Sequence, residues 1–152
     1  CVDTDTAMVE RARDRFAPLE HVRVRQADAH ELPFPVASFD AVLLFHTLTY
    51  AELPARLLGE TARVLRPGGK LTLLCLDRHE HTELTQRYRA RHPGFAPSEV
   101  RRMLMEADLH VRQAEVACRE NRKPHLQVVL AVAERPLPPG ARAHTGGNPA
   151  TG

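Results

Sequence analysis

Apolar residues change their spacing several times along this chain, and each change marks an element. From Asp5 or Thr6 to Phe16, Met8, Ala12 and Phe16 recur on one side, with Arg11, Arg13, Asp14 and Arg15 around the other. That pattern predicts an amphipathic helix, ended by Pro18. His21 to Gln26 alternates Val22 and Val24 with Arg23 and Arg25, which suits a strand with one wet face near a sheet edge. Asp40 to Phe45 differs, because Ala41, Val42, Leu43, Leu44 and Phe45 follow one another without a polar break. An unbroken run of this length predicts a parallel strand covered on both faces. Pro54 is tolerable in a first helical turn, and Leu57, Leu58, Thr61, Ala62 and Leu65 keep helical spacing up to a stop at Gly68 and Gly69. Leu71 to Leu76 then reads as another buried strand. A short helix from Pro97 and Ser98 to Leu109 turns Val100, Leu104 and Ala107 inward, and Val111 to Ala117 and Leu126 to Ala133 are strand candidates.

Strands and helices therefore alternate, which predicts an α/β layered sheet. No helical pattern lies between Val116 and Leu126, so the last connection reads as a hairpin. Asp40 to Phe45 and Leu71 to Leu76 are accordingly expected to pair in parallel, with Leu126 to Ala133 antiparallel beside the latter. Beyond Pro136 the chain turns to Pro-Leu-Pro-Pro-Gly and Thr-Gly-Gly-Asn-Pro. Residues 137–152 are expected to form a disordered tail after a single domain over 1–136.

Composition narrows the class. With 152 residues the chain is long enough for one domain with a real core. A net charge of +2 with 26% charged residues leaves no global basic surface to argue for nucleic acid or membrane. Cys1, Cys75 and Cys118 form no CxxC pair and read as thiols in a reducing cytosol. No apolar run approaches the roughly 20 residues that span a bilayer, so a soluble, cytoplasmic protein is expected. The chain opens on Cys, and Cys1-Val2-Asp3 already resembles the end of a strand, which predicts a fragment.

Candidate chemistry gathers where strands end. Ligands of open α/β sheets bind in crevices at the carboxyl ends of parallel strands. Asp3 stands at one such end, and a carboxylate can accept from two neighbouring hydroxyls. A plainer reading has Asp3 starting a turn and Asp5 capping the helix. Met8 suits either a core or a ligand contact. Asp28 and Ala29 follow a strand, as do Phe45 and His46. His46 can serve as a general base or can be a loop residue without catalytic duty. Asp77-Arg78-His79-Glu80-His81 follows the Leu71 to Leu76 strand, where a solvated loop, a substrate contact and a metal pair all remain open; no metal site is expected from so short a set.

Taken together, Val2-Asp3-Thr4-Asp5-Thr6-Ala7-Met8, Asp28-Ala29-His30-Glu31-Leu32-Pro33-Phe34-Pro35, Ser38-Phe39-Asp40-Ala41-Val42 and Arg63-Val64-Leu65-Arg66-Pro67-Gly68-Gly69-Lys70-Leu71 resemble the later part of a class I S-adenosylmethionine-dependent methyltransferase. The resemblance covers Cys1 to about Pro136. It implies a Rossmann-like methyltransferase sheet that lacks its first strand and Gly-rich turn, with S-adenosylmethionine as cofactor and a small molecule as methyl acceptor. It also implies that Asp3 holds the ribose hydroxyls, with Thr4 among the cofactor-binding residues and Met8 as a candidate adenine contact. Asp28 would accept from the adenine amino group, the Ala29 backbone would face the ring, and Phe45 would lie toward the methionine end. Asp5 replaces the Ser usual in the family. No residue is assigned as catalytic, His46 being the one candidate.

A looser likeness joins Leu76-Asp77-Arg78-His79-Glu80-His81, Gly94-Phe95-Ala96-Pro97, Leu104 to Leu109 and Lys123-Pro124-His125 to bacterial fusions of an ArsR-type winged-helix regulator with a methyltransferase domain. There Asp108 stands where relatives usually have Gly. That likeness implies the rival reading, a SAM-sensing regulatory domain of a transcription factor, in which DNA is met only through a module outside this chain. The region around His46 to Ala51 and Asp77 to Phe95 has no aromatic cage or dense basic patch, which disfavours nucleic acid as acceptor.

Overall fold

In the computed structural model, residues 1–121 and 123–140 are described. In chain order the elements are β1 (Val2–Asp3), α1 (Thr6–Phe16), β2 (Arg25–Gln26), β3 (Phe39–Phe45), α2 (Thr47–Tyr50), α3 (Pro54–Val64), β4 (Leu65–Leu76), α4 (Thr82–Arg87), α5 (Pro97–Glu106), β5 (His110–Arg119) and β6 (Gln127–Glu134). They form an α/β fold with two sheets. β1 and β2 pair in parallel, with Val2 opposite Arg25 and Asp3 opposite Gln26. The larger sheet has the order β3-β4-β6-β5. β3 runs parallel to β4, Val42 opposite Leu71 and Leu44 opposite Leu73. β6 is antiparallel to β4, Leu73 opposite Ala131, and the hairpin β5-β6 completes the edge. The expected pairing of these strands holds.

One side of the larger sheet builds the core. Leu44, Leu71, Leu73, Cys75, Val129, Ala131 and Ala133 point to it, and Leu48, Leu57, Leu58, Val100 and Leu104 from α2, α3 and α5 close over them. Six of the large side chains there, Leu48, Leu58, Leu71, Leu73, Val100 and Leu104, are fully withdrawn from water. Each such burial contributes roughly 1.5 to 3 kcal/mol.

The expectation that Asp40 to Phe45 is covered on both faces is corrected. Leu43 and Phe45 remain 59% and 57% exposed while Leu44 is buried. The cause is position: β3 is the edge strand of its sheet, β1 pairs only with β2, and no described strand lies between them. A strand patterned as central is thus left with one open face and one unpaired edge.

Other boundaries moved for local reasons. The strand expected over His21 to Gln26 shrinks to Arg25–Gln26, since only these residues find partners in β1. On α1 the buried residue is Val9, with Met8 51% exposed; Asp5 accepts from the Met8 amide at 2.9 Å and so fixes Met8 in the first turn. α3 ends at Val64, and Leu65 already pairs with Phe39. The glycines therefore do not stop the helix; they form the irregularity in β4. Gly68 has φ +78, and a Cβ on Gly69 would meet the Arg66 carbonyl oxygen at 2.8 Å. Asp108 adopts φ +58 after α5, a backbone setting that explains why glycine suits this place. The tail expected from 137 onward falls, beyond 140, outside the described residues. Among the described residues no helix is long and apolar enough to cross a membrane.

Candidate functional site at the strand ends

β1, β2 and β3 all deliver their candidate residues at their carboxyl ends. Ala27 donates its amide to the Asp3 carbonyl at 3.0 Å, which carries the β1-β2 ladder one step past the strands and sets Asp3 and Asp28 at the ends of neighbouring strands. Asp3 is exposed, and its Oδ1 accepts from the Asp5 amide at 2.9 Å. Both plain roles read from the sequence are therefore filled, a turn at Asp3 and a helix cap at Asp5, without using Asp3 Oδ2. Gln26 ties the two ends together, its Nε2 donating to the Thr4 carbonyl and to Thr6 Oγ1, each at 3.0 Å. Thr4 and Met8 are exposed beside this turn.

Asp28 opens a tight turn. Its Oδ1 receives the His30 amide at 2.8 Å and lies 2.7 Å from His30 Nδ1. These backbone and ring hydrogen bonds from His30 hold the Asp28 carboxyl below the usual carboxylate range, against a smaller opposing effect of burial. Ala29 is half-buried and packs on the edge of the core. The following loop is gripped by α3: Glu60 accepts from the Leu32 amide at 2.9 Å, and Arg63 donates to the carbonyls of Leu32 at 3.0 Å and Phe34 at 2.9 Å.

Phe45 and His46 end β3 in the other sheet. The His46 amide donates to the Leu74 carbonyl at 2.7 Å, and the residue then turns with φ +55 into α2. Its imidazole is exposed and makes no hydrogen bond among the described residues. Along the neighbouring strand end, the Asp77 carboxylate accepts from the Arg78 amide at 2.8 Å, and Arg78 pairs with Glu99 at 2.5 Å. The Arg78 guanidinium, aided by the Ala96 amide, keeps the Glu99 carboxyl below its ordinary range. His79 and His81 stack with ring centroids 5.7 Å apart. Burial first, and then His81, lowers the pKa of His79. The segment after α4 closes back on α2: the Arg91 and His92 amides both donate to the Thr49 carbonyl at 3.1 Å. Among the described residues no group of three His, Cys, Asp or Glu is placed to hold a metal ion.

The structure thus joins Asp3, Thr4, Met8, Asp28 and Ala29 around one pair of strand ends and sets Phe45 and His46 at the end of a third strand. Four residues that shape these strand ends were missed from the sequence: Gln26 as the tie, His30 as the partner of Asp28, and Glu60 and Arg63 as a pair. His30 alone left a signal, a histidine two residues after a strand-end aspartate.

Comparison with known proteins bears on the fold. The family described as "Methyltransferase domain" matches residues 1–73. A 27-O-demethylrifamycin SV methyltransferase of Amycolatopsis mediterranei is 44% identical over 68 residues, covering 43% of this chain and 25% of that protein. The ubiquinone/menaquinone biosynthesis C-methyltransferase UbiE of Azotobacter vinelandii is 31% identical over 116 residues, 74% of this chain and 46% of its own length. Among solved structures, the [4+2]-cyclase SpnF superposes with a TM-score of 0.75 at 19% identity, covering 90% of this chain and 65% of that one. The geranyl diphosphate C-methyltransferase of Streptomyces coelicolor A3(2), solved with Mg2+, geranyl diphosphate and S-adenosyl-L-homocysteine, gives 0.73 at 16% identity, with 88% and 61% covered. These superpositions show the fold. The chain spans 21% to 46% of the length of the curated relatives it matches.

Proposed function

We propose, from the match of residues 1–73 to the methyltransferase domain family, that the chain is part of an S-adenosylmethionine-dependent methyltransferase acting on a small acceptor. The observation that carries the proposal is the placement of two carboxylates, Asp3 and Asp28, at the carboxyl ends of adjacent parallel strands. Each keeps Oδ2 without a partner among the described residues while Oδ1 is engaged locally. That acceptor set fits a nucleoside with two hydroxyls at one end and an amino-bearing ring at the other.

When bound, S-adenosylmethionine supplies a methyl group on a sulfonium, which passes in line to the acceptor's nucleophilic atom while the electron pair of the broken S–C bond returns to sulfur. The chain's own residues contribute position. Asp3 would accept from the ribose hydroxyls with Thr4 beside it, Asp28 would accept from the adenine amino group, and Met8 and the Ala29 backbone would face the ring. Phe45 and His46 stand toward the transferred group. His46, exposed and without a hydrogen-bond partner among the described residues, is the candidate to take a proton from the acceptor. Most of the rate enhancement then comes from proximity and orientation rather than from acid-base chemistry.

A small acceptor is supported by relatives whose names specify rifamycin and menaquinone precursors. The test is methyl transfer by the protein of the complete reading frame, followed by mass spectrometry over a panel of phenolic, quinol and amine acceptors. Transfer abolished by Asp3→Ala together with Asp28→Ala is the expected result. Transfer unaffected by that pair would remove the site assignment.

A further inference from the structure

We propose that His30 is the positioning residue that aims Asp28 at an adenine amino group; the inference rests on the reading of Asp28 given above. Leu53 donates its backbone amide to His30 Nε2 at 3.2 Å. A nitrogen that accepts carries no proton, so the ring's proton sits on Nδ1, and Nδ1 donates to Asp28 Oδ1 at 2.7 Å. The tautomer is thus set by the start of α3, on the far side of the ring from Asp28. The ring itself is held in place: its side chain is only 18% exposed, against 59% for Asp28, and Arg56 Nε donates to the His30 carbonyl at 3.0 Å.

Both donors that His30 offers, its amide and its ring N–H, fall on the same oxygen of Asp28. Two bonds to one oxygen fix the carboxylate plane and leave Oδ2, without a partner among the described residues, as the acceptor available to a ligand. A surface aspartate without such a partner turns freely about its side-chain torsions, and a ligand must then offset the entropy of fixing it. With the plane preset, an exocyclic N–H is met by a ready acceptor, whereas a 6-oxo purine places its own lone pairs against Oδ2. His30 therefore serves discrimination between adenine and hypoxanthine as well as affinity.

The amide variants divide the ring's two duties. His30→Asn keeps a donor near the Nδ1 position and gives up the tether to Leu53, while His30→Gln keeps a polar group near Nε2 and gives up the donor to Asp28. Calorimetric titration of the protein of the complete reading frame with S-adenosylhomocysteine and S-inosylhomocysteine reads both affinity and discrimination, and thermal melts verify that each variant is folded. Expected are a loss of about tenfold or more for Asp28→Ala and a loss of about threefold to tenfold for His30→Gln and His30→Ala. His30→Asn should bind close to the parent protein. The loss in His30→Gln should vanish when Asp28 is already alanine, because a residue acting through another has nothing left to act on. Preference for the adenosyl ligand should fall in the same variants.

If Asp28→Ala binds as the parent does, the adenine reading itself is wrong and this inference falls with it. If Asp28→Ala weakens binding while His30→Gln and His30→Ala do not, only the role of His30 is overturned. Additive losses in the double variant, or retained affinity in His30→Gln with loss in His30→Asn, would reduce His30 to a tether for α3 and overturn the proposal.

Discussion

Glu60 and Arg63, one turn apart on α3, hold each other at 2.7 Å and close together on the loop that follows Asp28. Glu60 caps the Leu32 amide and Arg63 spans two carbonyls, so three backbone groups of a segment without regular structure are satisfied by two side chains. Whatever the strand-end site binds, its floor is anchored to the core through this pair.

That anchoring has a definite pH dependence. The Arg63 guanidinium, supported by the Leu32 amide, keeps the Glu60 carboxyl below its ordinary range in the folded state, burial opposing it. A lowered folded pKa means stability that is complete above the unfolded value, about 4.3, and is lost as pH falls through the folded value. Glu60→Gln should therefore be less stable near neutrality by about 1 to 2 kcal/mol, and the deficit should shrink as pH drops below about 4.3. Thermal melts of both proteins across that range check it; a deficit independent of pH would mean the carboxylate charge is irrelevant to the clamp.

Asp3→Ala should weaken S-adenosylhomocysteine binding by about 1.5 to 3 kcal/mol, the range for hydrogen bonds to a charged group. Because Asp3 Oδ1 also receives the Asp5 amide, Asp3→Asn is the companion variant: it keeps an oxygen for that turn and alters the acceptor set offered to a ribose. Calorimetry on the protein of the complete reading frame should give weaker binding in both. Parent-like affinity in Asp3→Asn and Asp3→Ala alike would place the ribose elsewhere.

Gly94 packs against the carboxyl end of β4. It has φ +93, and a Cβ there would lie 2.2 Å from the Asp77 carbonyl oxygen and 2.7 Å from that of Leu76. Both obstacles are backbone at the end of β4, so they cannot swing aside. Gly94→Ala should cost about 2 kcal/mol or more, from the disfavoured backbone setting together with the overlap. It should also disturb the Phe95 amide bond to the Leu76 carbonyl, 2.9 Å long. Denaturant unfolding measures the loss, and a change within about 0.5 kcal/mol, the scatter of neutral surface substitutions, would contradict this packing.

Much of this arrangement was readable in advance, and the failures share a cause. The apolar runs of β3 and β4 and the missing helical period before β6 foretold the pairing, because unbroken runs favour parallel strands and a connection without a helix favours an antiparallel hairpin. The aspartates at 3 and 28 were legible because Asp3 ends β1 and Asp28 stands two residues past β2. What escaped depends on contacts distant in sequence. The tautomer of His30 is set by Leu53, 23 residues away, and Glu60 gains its role from Leu32, 28 residues away. α2 and α4, of 4 and 6 residues, are too short to show a period. The open face of β3 was misread because an apolar run reports what a strand is built to meet, not which neighbours it finds.

Cys75 offers a probe of the core that needs no substitution. Its side chain is fully withdrawn from water on β4, and burial, with a smaller contribution from Asp77, pushes its thiol up to about 12. The thiolate is the reactive species, so at pH 8 this sulfur should be inert in the folded protein. Cys1 and Cys118 are exposed and should react at once with a chromogenic disulfide reagent. The third thiol should appear only at the rate of unfolding, or immediately in denaturant. Three fast thiols under native conditions would show that the sheet opens far more readily than its packing implies.

Leu43 and Phe45 point from β3 into water, and the outer edge of that strand has no described partner. A seven-residue strand with its outer edge unpaired among the described residues, beside two large apolar side chains, makes a template on which another extended segment can add. The 152-residue polypeptide expressed alone should therefore associate as its concentration rises. Phe45→Lys and Leu43→Lys together should shift it toward monomer, since neither side chain belongs to the buried core and a charged edge resists pairing. Sedimentation velocity over a concentration series distinguishes the outcomes. A parent polypeptide that stays monomeric throughout, with a cooperative melt, would show that the open edge is protected by its own twist; association unchanged by the lysines would move the contact to another surface.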